Sequence, residues 1–270
     1  MSCYLKGQQD RSSIVKVVME ERRLHPRMGT VKLYDNIKYR LVSRGIRCGR
    51  DKFIDIMREE GLLVKRRKNY TRTTQSYHRF RKYTNRVKGI EIRQPEQVYV
   101  NDITYIKVGR GHCYLSLTTD AYSKRIMGYH LSEDMKVSSV SESIKMAIRN
   151  SRKTEGIIHH SDRGLQYCHP DYIALLEKYG LQPSMTTQHD PYENAIAERL
   201  NGILKGEYLI GDGYPDKRTA QADISRVIWI YNHLRPHMSC HGLTPEAAHQ
   251  QHYYRLRQWG RTKPGAKLSP

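Results

Sequence analysis

Apolar positions in the first sixty residues recur at helical spacing. Ile14, Val17 and Val18 fall on one side of a helix, and residues 12–24 and 30–60 read as helical, punctuated by Gly29 and Gly45. Within the second stretch, one helix runs to about residue 44, the chain turns at Gly45, and another helix runs from about residue 50 to residue 60. The outline is that of a small all-α, helix-turn-helix-like domain over residues 1–63, whose last helix offers Arg50, Lys52 and Arg58 to a DNA groove or backbone. An αα-hairpin packed on its neighbour has the same outline.

From 64 to 95 the periodicity fades, and VKRRKNYTRTTQSYHRFRKYTNRVKG reads as a basic linker. The pattern then changes to period two. QVYVNDITYIKV, HCYLSLTTDAYS and RIMGYHLS predict three consecutive antiparallel strands, with turns at Gly109-Arg110-Gly111 and Ser123-Lys124. A helix at about 137–150 leads to the short apolar strand GIIHH, then to a helix at 170–179, a strand at 182–186 and a helix at 194–207. Three hairpin-linked strands continued by alternating strands and helices imply an α/β fold: a mixed five-stranded sheet flanked by helices, over residues 96–250. Residues 251–270 read as a loosely ordered basic tail.

Charge narrows the choice of partner. The net charge is +20, and residues 1–90 hold 24 basic and 8 acidic residues, so the polyanion-binding end is the amino-terminal one. Tyrosines and Phe80 interleave with the linker cations Lys65, Arg66, Arg67 and Lys68 and those that follow, which suits phosphate neutralisation with some stacking; a solvated tether has the same composition. No run reaches the roughly 18 apolar residues of a membrane span, and the start lacks a signal-peptide core, so a soluble, cytoplasmic protein without a membrane partner is expected. Five scattered cysteines without a C-x-x-C pair indicate neither a disulfide framework nor a zinc ribbon.

The acids are the candidates for chemistry. Asp102 stands within the first strand among Val98, Val100, Ile103, Tyr105 and Ile106, where a buried carboxylate is costly without a partner. Asp162 follows GIIHH, at the strand end where open α/β sheets form ligand crevices. Those two strands can be neighbours, and adjacent carboxylates repel unless a cation lies between them; Mg²⁺ takes one or two carboxylates with water and phosphate oxygens. A helix over 194–207 puts Glu198, Asn201 or Gly202, and Lys205 on one face, with Asn194 a turn before Glu198. An acid to complete a metal site, followed two turns on by a cation for phosphate, suits two-metal phosphoryl transfer on DNA.

Taken singly, Asp162 reads as a turn cap and Glu198 with Lys205 as a solvated helix face. Asp120 and Glu193 compete as acids, but Asp120 stands beside Tyr122-Ser123-Lys124, where turn capping accounts for it. His159, His160, Cys168 and His169 fit no common zinc spacing. Gly164 is read as letting the chain turn sharply after Asp162, with Arg163 and Gln166 either touching DNA or bracing the loop.

At these residues the chain resembles the DDE-type transposases, which share the ribonuclease H-like catalytic fold of retroviral integrases. Thirty-five residues separate Asp162 from Glu198, and Lys205 follows at +7. DITYI (102–106), TTDAYSKRIMGYHLS (118–132), HHSDRGLQY (159–167), YENAIAERLNGILKGEY (192–208) and YNHLRPHMSCHGLTPEAAH (231–249) resemble the IS-three family of bacterial insertion sequences. So does HPRMGTVKLYDNIKYRLVSRGIRCGRDKFIDIMREEGL before the core. Leu165, Glu193-Asn194 and the Arg199-Leu200-Asn201 run depart from the usual family residues without removing an acid.

The resemblance implies that Asp102, Asp162 and Glu198 are the catalytic metal ligands, binding two Mg²⁺ ions for which Mn²⁺ can substitute. It implies attack of water and then of a freed 3′-OH on DNA phosphates, with no covalent protein intermediate. Double-stranded DNA, as terminal inverted repeats and target, is the implied partner, together with a homo-oligomer on DNA and an upstream-frame helix-turn-helix protein fused to or partnered with this chain. A tyrosine recombinase, suggested by 20 tyrosines, leaves the three-acid spacing unexplained, and a non-catalytic DNA-binding protein makes Asp102→Asn silent.

Overall fold

A computed structural model describes residues 3–65, 79–187 and 195–251. Three helices come first: α1 (Cys3–Leu24), α2 (Thr30–Ser43) and α3 (Arg50–Glu59). They bury Ile14, Val17, Val18, Leu33, Ile37, Leu41, Phe53 and Met57 in a core of their own, which is why the apolar spacing was legible. α1 begins nearer the amino terminus than the apolar repeat suggested, because polar residues of its first turns carry no periodic signal. Gly45, at φ +73°, ends α2 in the left-handed region that favours glycine.

The sheet comprises β1 (Val98–Val108), β2 (Gly111–Asp120), β3 (Ile126–Ser132), β4 (Ile158–Ser161) and β5 (Gln182–Met185), in the order β3-β2-β1-β4-β5. The β1–β2 and β2–β3 pairs are antiparallel, and β1–β4 and β4–β5 are parallel. Between β3 and β4 lies α4 (Val137–Asn150); α5 (Leu165–Cys168) and α6 (Pro170–Lys178) precede β5. Then come α7 (Ala195–Glu207), α8 (Lys217–His233) and α9 (Pro245–His249).

Helices cover both faces of the sheet. On one face Ile106, Leu115, Leu117 and Leu131 meet Leu200, Ile203 and Leu204 of α7 and Ile224, Val227 and Tyr231 of α8. On the other, Tyr99 and Met127 meet Val140, Ile144 and Ala147 of α4 and Tyr172 and Leu176 of α6. Gly128 lets α4 approach this closely: an added Cβ would come 2.0 Å from the carbonyl oxygen of Ser143.

The amino-terminal helices dock on the carboxy-terminal end of α7. Arg27 N–H donates to Glu207 O at 3.0 Å, and His25 Nδ1 lies 2.9 Å from Tyr208 Oη. The Glu207 carboxylate accepts from Arg235 Nε and Nη2 at 2.9 and 2.8 Å, with Lys32 Nζ at 3.5 Å. Burial and the nearby Arg235 hold the His25 pKa down at about 4, so the imidazole is neutral at this junction.

Candidate active site

In the parallel β1–β4 pair, Val98, Tyr99 and Val100 stand opposite Ile158, His159 and His160. Asp102 and Asp162 each lie two residues beyond the last of these pairs, so the register brings both acids to one level at the carboxy-terminal end of β4. Alternation along β1 puts Asp102 on the side of Ile106, which α7 covers. Asn201 of α7 makes the contact. Its Nδ2 donates to Asp102 Oδ2 at 2.6 Å, while Asp102 Oδ1 accepts from the Ile103 N–H at 2.9 Å.

Asp102 keeps some accessible surface, less burial than its apolar neighbours suggested, but it is closely ringed by protein. Its pKa is pushed up to about 7. Burial is the largest cause and the charge of Asp162 the next; the two hydrogen bonds oppose them, and Glu198 adds a smaller upward push.

Asp162 Oδ1 accepts from the Gly164 N–H at 2.9 Å and closes the turn that ends β4. Gly164 itself has φ −59°, which any residue adopts, so the sharp-turn role expected for it is corrected. An added Cβ would come 2.9 Å from Asp162 Oδ1, so a side chain here would shift that carboxylate. Arg163 Nε donates to Thr186 O at 2.7 Å and braces this loop against the end of β5.

Glu198 is exposed in the first turn of α7, and Lys205 is half-buried two turns on. Burial lowers the Lys205 pKa while the charge of Asp102 pulls it upward. The three acids and Lys205 therefore share one electrostatic neighbourhood. Among the described residues, no three His, Cys, Asp or Glu side chains lie close enough together to hold a metal ion, so the three acids do not form a closed set of ligands. The donor set still suits a hard divalent cation. The candidate ligands are carboxylate oxygens only, and a bound cation would neutralise the like charges that raise Asp102.

The other residues singled out from the sequence fall as follows. Arg50 and Lys52 are exposed in the first turn of α3, with Arg50 Nε 3.4 Å from Asp51. Lys65 is exposed, and its carbonyl accepts from Arg27. Asn194, Glu193, Arg66, Arg67 and Lys68 lie outside the described residues. Asp120 is fully buried as a turn cap, accepting from the N–H groups of Glu96 and Ser123 at 2.8 and 2.7 Å. His159 meets Tyr172 and His160 meets Ser184, each at 2.9 Å, and Cys168 meets Met185 at 3.4 Å; these are core contacts. Helical spacing leaves Asn201 or Gly202 on the face of Glu198 and Lys205, and Asn201 is the one that meets Asp102; nothing local in the sequence marks the Glu207–Arg235 pair.

An integrase core domain model matches residues 92–191, and a second integrase core domain model matches residues 179–245. The insertion element IS600 31 kDa protein of Shigella sonnei is 32% identical over 253 residues, 93% of this chain and 91% of that one. A putative transposase of IS986/IS6110 from Mycobacterium tuberculosis is 35% identical over 61% of each chain. The transposase InsF of IS3A from Escherichia coli is 33% identical over 56% of this chain and 53% of its own length. Among solved structures, the simian T-cell lymphotropic virus intasome aligns with a TM-score of 0.51 at 18% identity, covering 89% of this chain and 81% of that one; the shared fold is the ribonuclease H-like one.

The chain belongs to the DDE-type transposases of the IS3 (IS-three) family, enzymes that carry out DNA transposition and integration by polynucleotidyl transfer. An integrase core of this kind implies use of a divalent metal and binding of DNA. No helix among the described residues is long and apolar enough to cross a membrane.

Proposed function

We propose that Asp102, Asp162 and Glu198 are the metal-holding carboxylates of this transposase, acting on phosphodiesters at the ends of an insertion sequence. The observation that carries this reading is the β1–β4 register, which brings Asp102 and Asp162 to one level at the end of the sheet, where the charge of Asp162 and, more weakly, that of Glu198 act on Asp102. When bound, two Mg²⁺ ions, or Mn²⁺ in their place, stabilise charge on phosphate oxygens and acidify the attacking water.

The remaining work falls to the chain itself. Asn201 holds Asp102 in place, and Gly164 holds Asp162 through its backbone N–H. Lys205 offers a positive charge to the phosphate from the same helix that carries Glu198. Arg163 borders the DNA path; Asn194, Arg50, Lys52, Lys65, Arg66, Arg67 and Lys68 complete the set of DNA-binding residues, the cations among them neutralising phosphates. Water cleaves the strand at the element's end, and the freed 3′-OH then attacks a second phosphate, so no bond to protein forms. In this reading residues 1–63 bind DNA, 64–95 connect, 96–250 catalyse and 251–270 trail. The chain works as a homo-oligomer holding two DNA ends, with an upstream-frame helix-turn-helix protein as fusion or partner.

The test is Mg²⁺-dependent joining of duplexes that carry the element's ends. Asp102→Asn, Asp162→Asn and Glu198→Gln are each expected to abolish cleavage and joining while DNA binding stays within about twofold, well under 1 kcal/mol. Full joining by any one of them removes that residue from the ligand set.

A further inference from the structure

Half of the segment read as a linker is fixed to the catalytic core. Residues 79–90, RFRKYTNRVKGI, contain five cations and no acid. Their backbone and apolar side chains are pinned at successive points. The Phe80 ring meets His169, at the start of α6, edge-on with centroids 5.2 Å apart. The Tyr83 N–H points at Met185 Sδ at 3.4 Å, and the Arg86 N–H donates to Ser184 Oγ at 2.9 Å. Val87 packs with Val98, Val100 and Ala197, reaching the catalytic helix α7. A solvated tether needs none of these contacts.

The pins determine where the cations go. Phe80, Tyr83 and Val87 are half-buried, whereas Arg79, Arg81, Lys82, Arg86 and Lys88 are exposed. None of these five pairs with a carboxylate among the described residues; Arg81 lies over the Tyr83 ring at 5.2 Å. The strap crosses β5 at Ser184 and Met185, which pair with His160 and Ser161 of β4. Asp162 is the next residue along β4. Ser184 Oγ, which accepts from Arg86, also lies 2.9 Å from His160 Nδ1, so the strap is tied to the strand that presents Asp162. Lys82 is close enough that its charge is felt at Cys168 alongside those of Asp162 and Arg163.

We propose that residues 79–88 form a phosphate rail, a binding site for the backbone of duplex DNA that leads the strand to the acids at the carboxy-terminal end of β4. The proposal rests on the reading of those acids as the DNA-processing site. Like charges held at fixed spacing on an anchored backbone repel one another, and a polyphosphate backbone relieves that repulsion by displacing its own counterions. Because the contacts are to phosphate, the rail adds affinity and direction without sequence preference.

The experiment uses the full chain and a fluorescein-labelled duplex of mixed sequence, with binding measured across a salt series. The triple variant Lys82→Gln, Arg86→Gln, Lys88→Gln is expected to lower the slope of log K against log salt by about 2 to 3, roughly one per lost phosphate contact. The control triple Arg149→Gln, Lys153→Gln, Lys178→Gln removes the same charge at the opposite end of the sheet and is expected to leave the slope unchanged. A second measurement needs no variant: acetylation of the wild-type chain, read by mass spectrometry, is expected to be suppressed several-fold by the duplex at Lys82 and Lys88 but not at Lys153 and Lys178. An unchanged slope with Lys82 and Lys88 still reactive, in a chain that joins DNA ends, overturns the rail and leaves the three-acid site standing. Joining by the Asp162→Asn chain overturns the acid assignment instead, while the rail is still judged on binding, which requires no catalysis.

Discussion

Asn201 Nδ2 donates to Asp102 Oδ2 across 2.6 Å, joining α7 to the central strand at the acid with the raised pKa. The bond favours the ionised carboxylate, against burial and two like charges. Asn201→Ala removes that support, so protons compete better for Asp102. A charge-assisted hydrogen bond contributes about 1.5–3 kcal/mol, roughly one to two pH units. The Mg²⁺ concentration for half-maximal joining is expected to rise several-fold near neutral pH and much less above pH 8. Equal losses at both pH values would make Asn201 a packing residue only.

Asp102 also makes the metal-free chain sensitive to pH. Its folded pKa of about 7 lies above the ordinary value of 3.8, so between those values the folded chain holds a proton that the unfolded chain releases. Stability therefore falls as pH rises through this window. Asp102→Asn is expected to raise the melting temperature of the metal-free protein at pH 8 by a few degrees, on the order of 1–2 kcal/mol, and to have no such effect near pH 4. Mg²⁺ should raise the wild-type melting temperature at pH 8, and chelation should reverse the gain; thermal melts with and without chelator decide this.

Arg235 is 1% exposed and grips Glu207 through Nε and Nη2, at the point where the amino-terminal helices meet α7. Glu207→Ala strands that guanidinium. Breaking a buried pair by removing one partner costs about 3–5 kcal/mol. Urea titration is expected to show a loss of about 3 kcal/mol, at the lower bound because the Glu207 side chain is 20% exposed. A loss below about 0.5 kcal/mol would mean that the junction does not depend on the pair.

His249 sits between Asp120 and Glu96, with Nδ1 3.0 Å from Ser123 Oγ and Nε2 3.2 Å from Glu96 Oε1. Burial opposes its charge, as does Arg125, but the contacts with Asp120 and Glu96 outweigh them and raise its pKa above 6.5. The stabilisation is then fully present below pH 6.5 and is lost as pH rises through the folded value. The deficit of His249→Gln relative to wild type, measured by urea titration, should be larger at pH 6 than at pH 9. A deficit independent of pH would assign His249 to packing alone.

Much of this was readable because certain residues broke their local pattern. Asp102 was conspicuous as an acid in an apolar strand, and Glu198 and Lys205 shared a helix face through spacing alone. The level of Asp102 against Asp162 was open in the sequence, since a strand order permits several registers until β1 and β4 are paired. Arg235 gave no local sign of burial; its partner Glu207 is 28 residues earlier, and only tertiary packing brings them together. The basic strap looked like a tether because cations dominate it, while Phe80, Tyr83 and Val87 are only three apolar positions among polar neighbours, too few to mark a segment packed on the sheet.

The parallel pairing of β1 with β4 has a consequence for the order in which the protein matures. The hairpins β1–β2 and β2–β3 close over short loops, whereas Val100 must wait for His160, with β2, β3 and α4 lying between them in the chain. Asn201, on the far side of β5, arrives from further along the chain still. A nascent or partly folded copy therefore carries its acids on separate pieces of structure. With these acids as the proposed cutting site, the capacity to cut DNA emerges only with the completed topology, so the fold itself delays the hazardous chemistry.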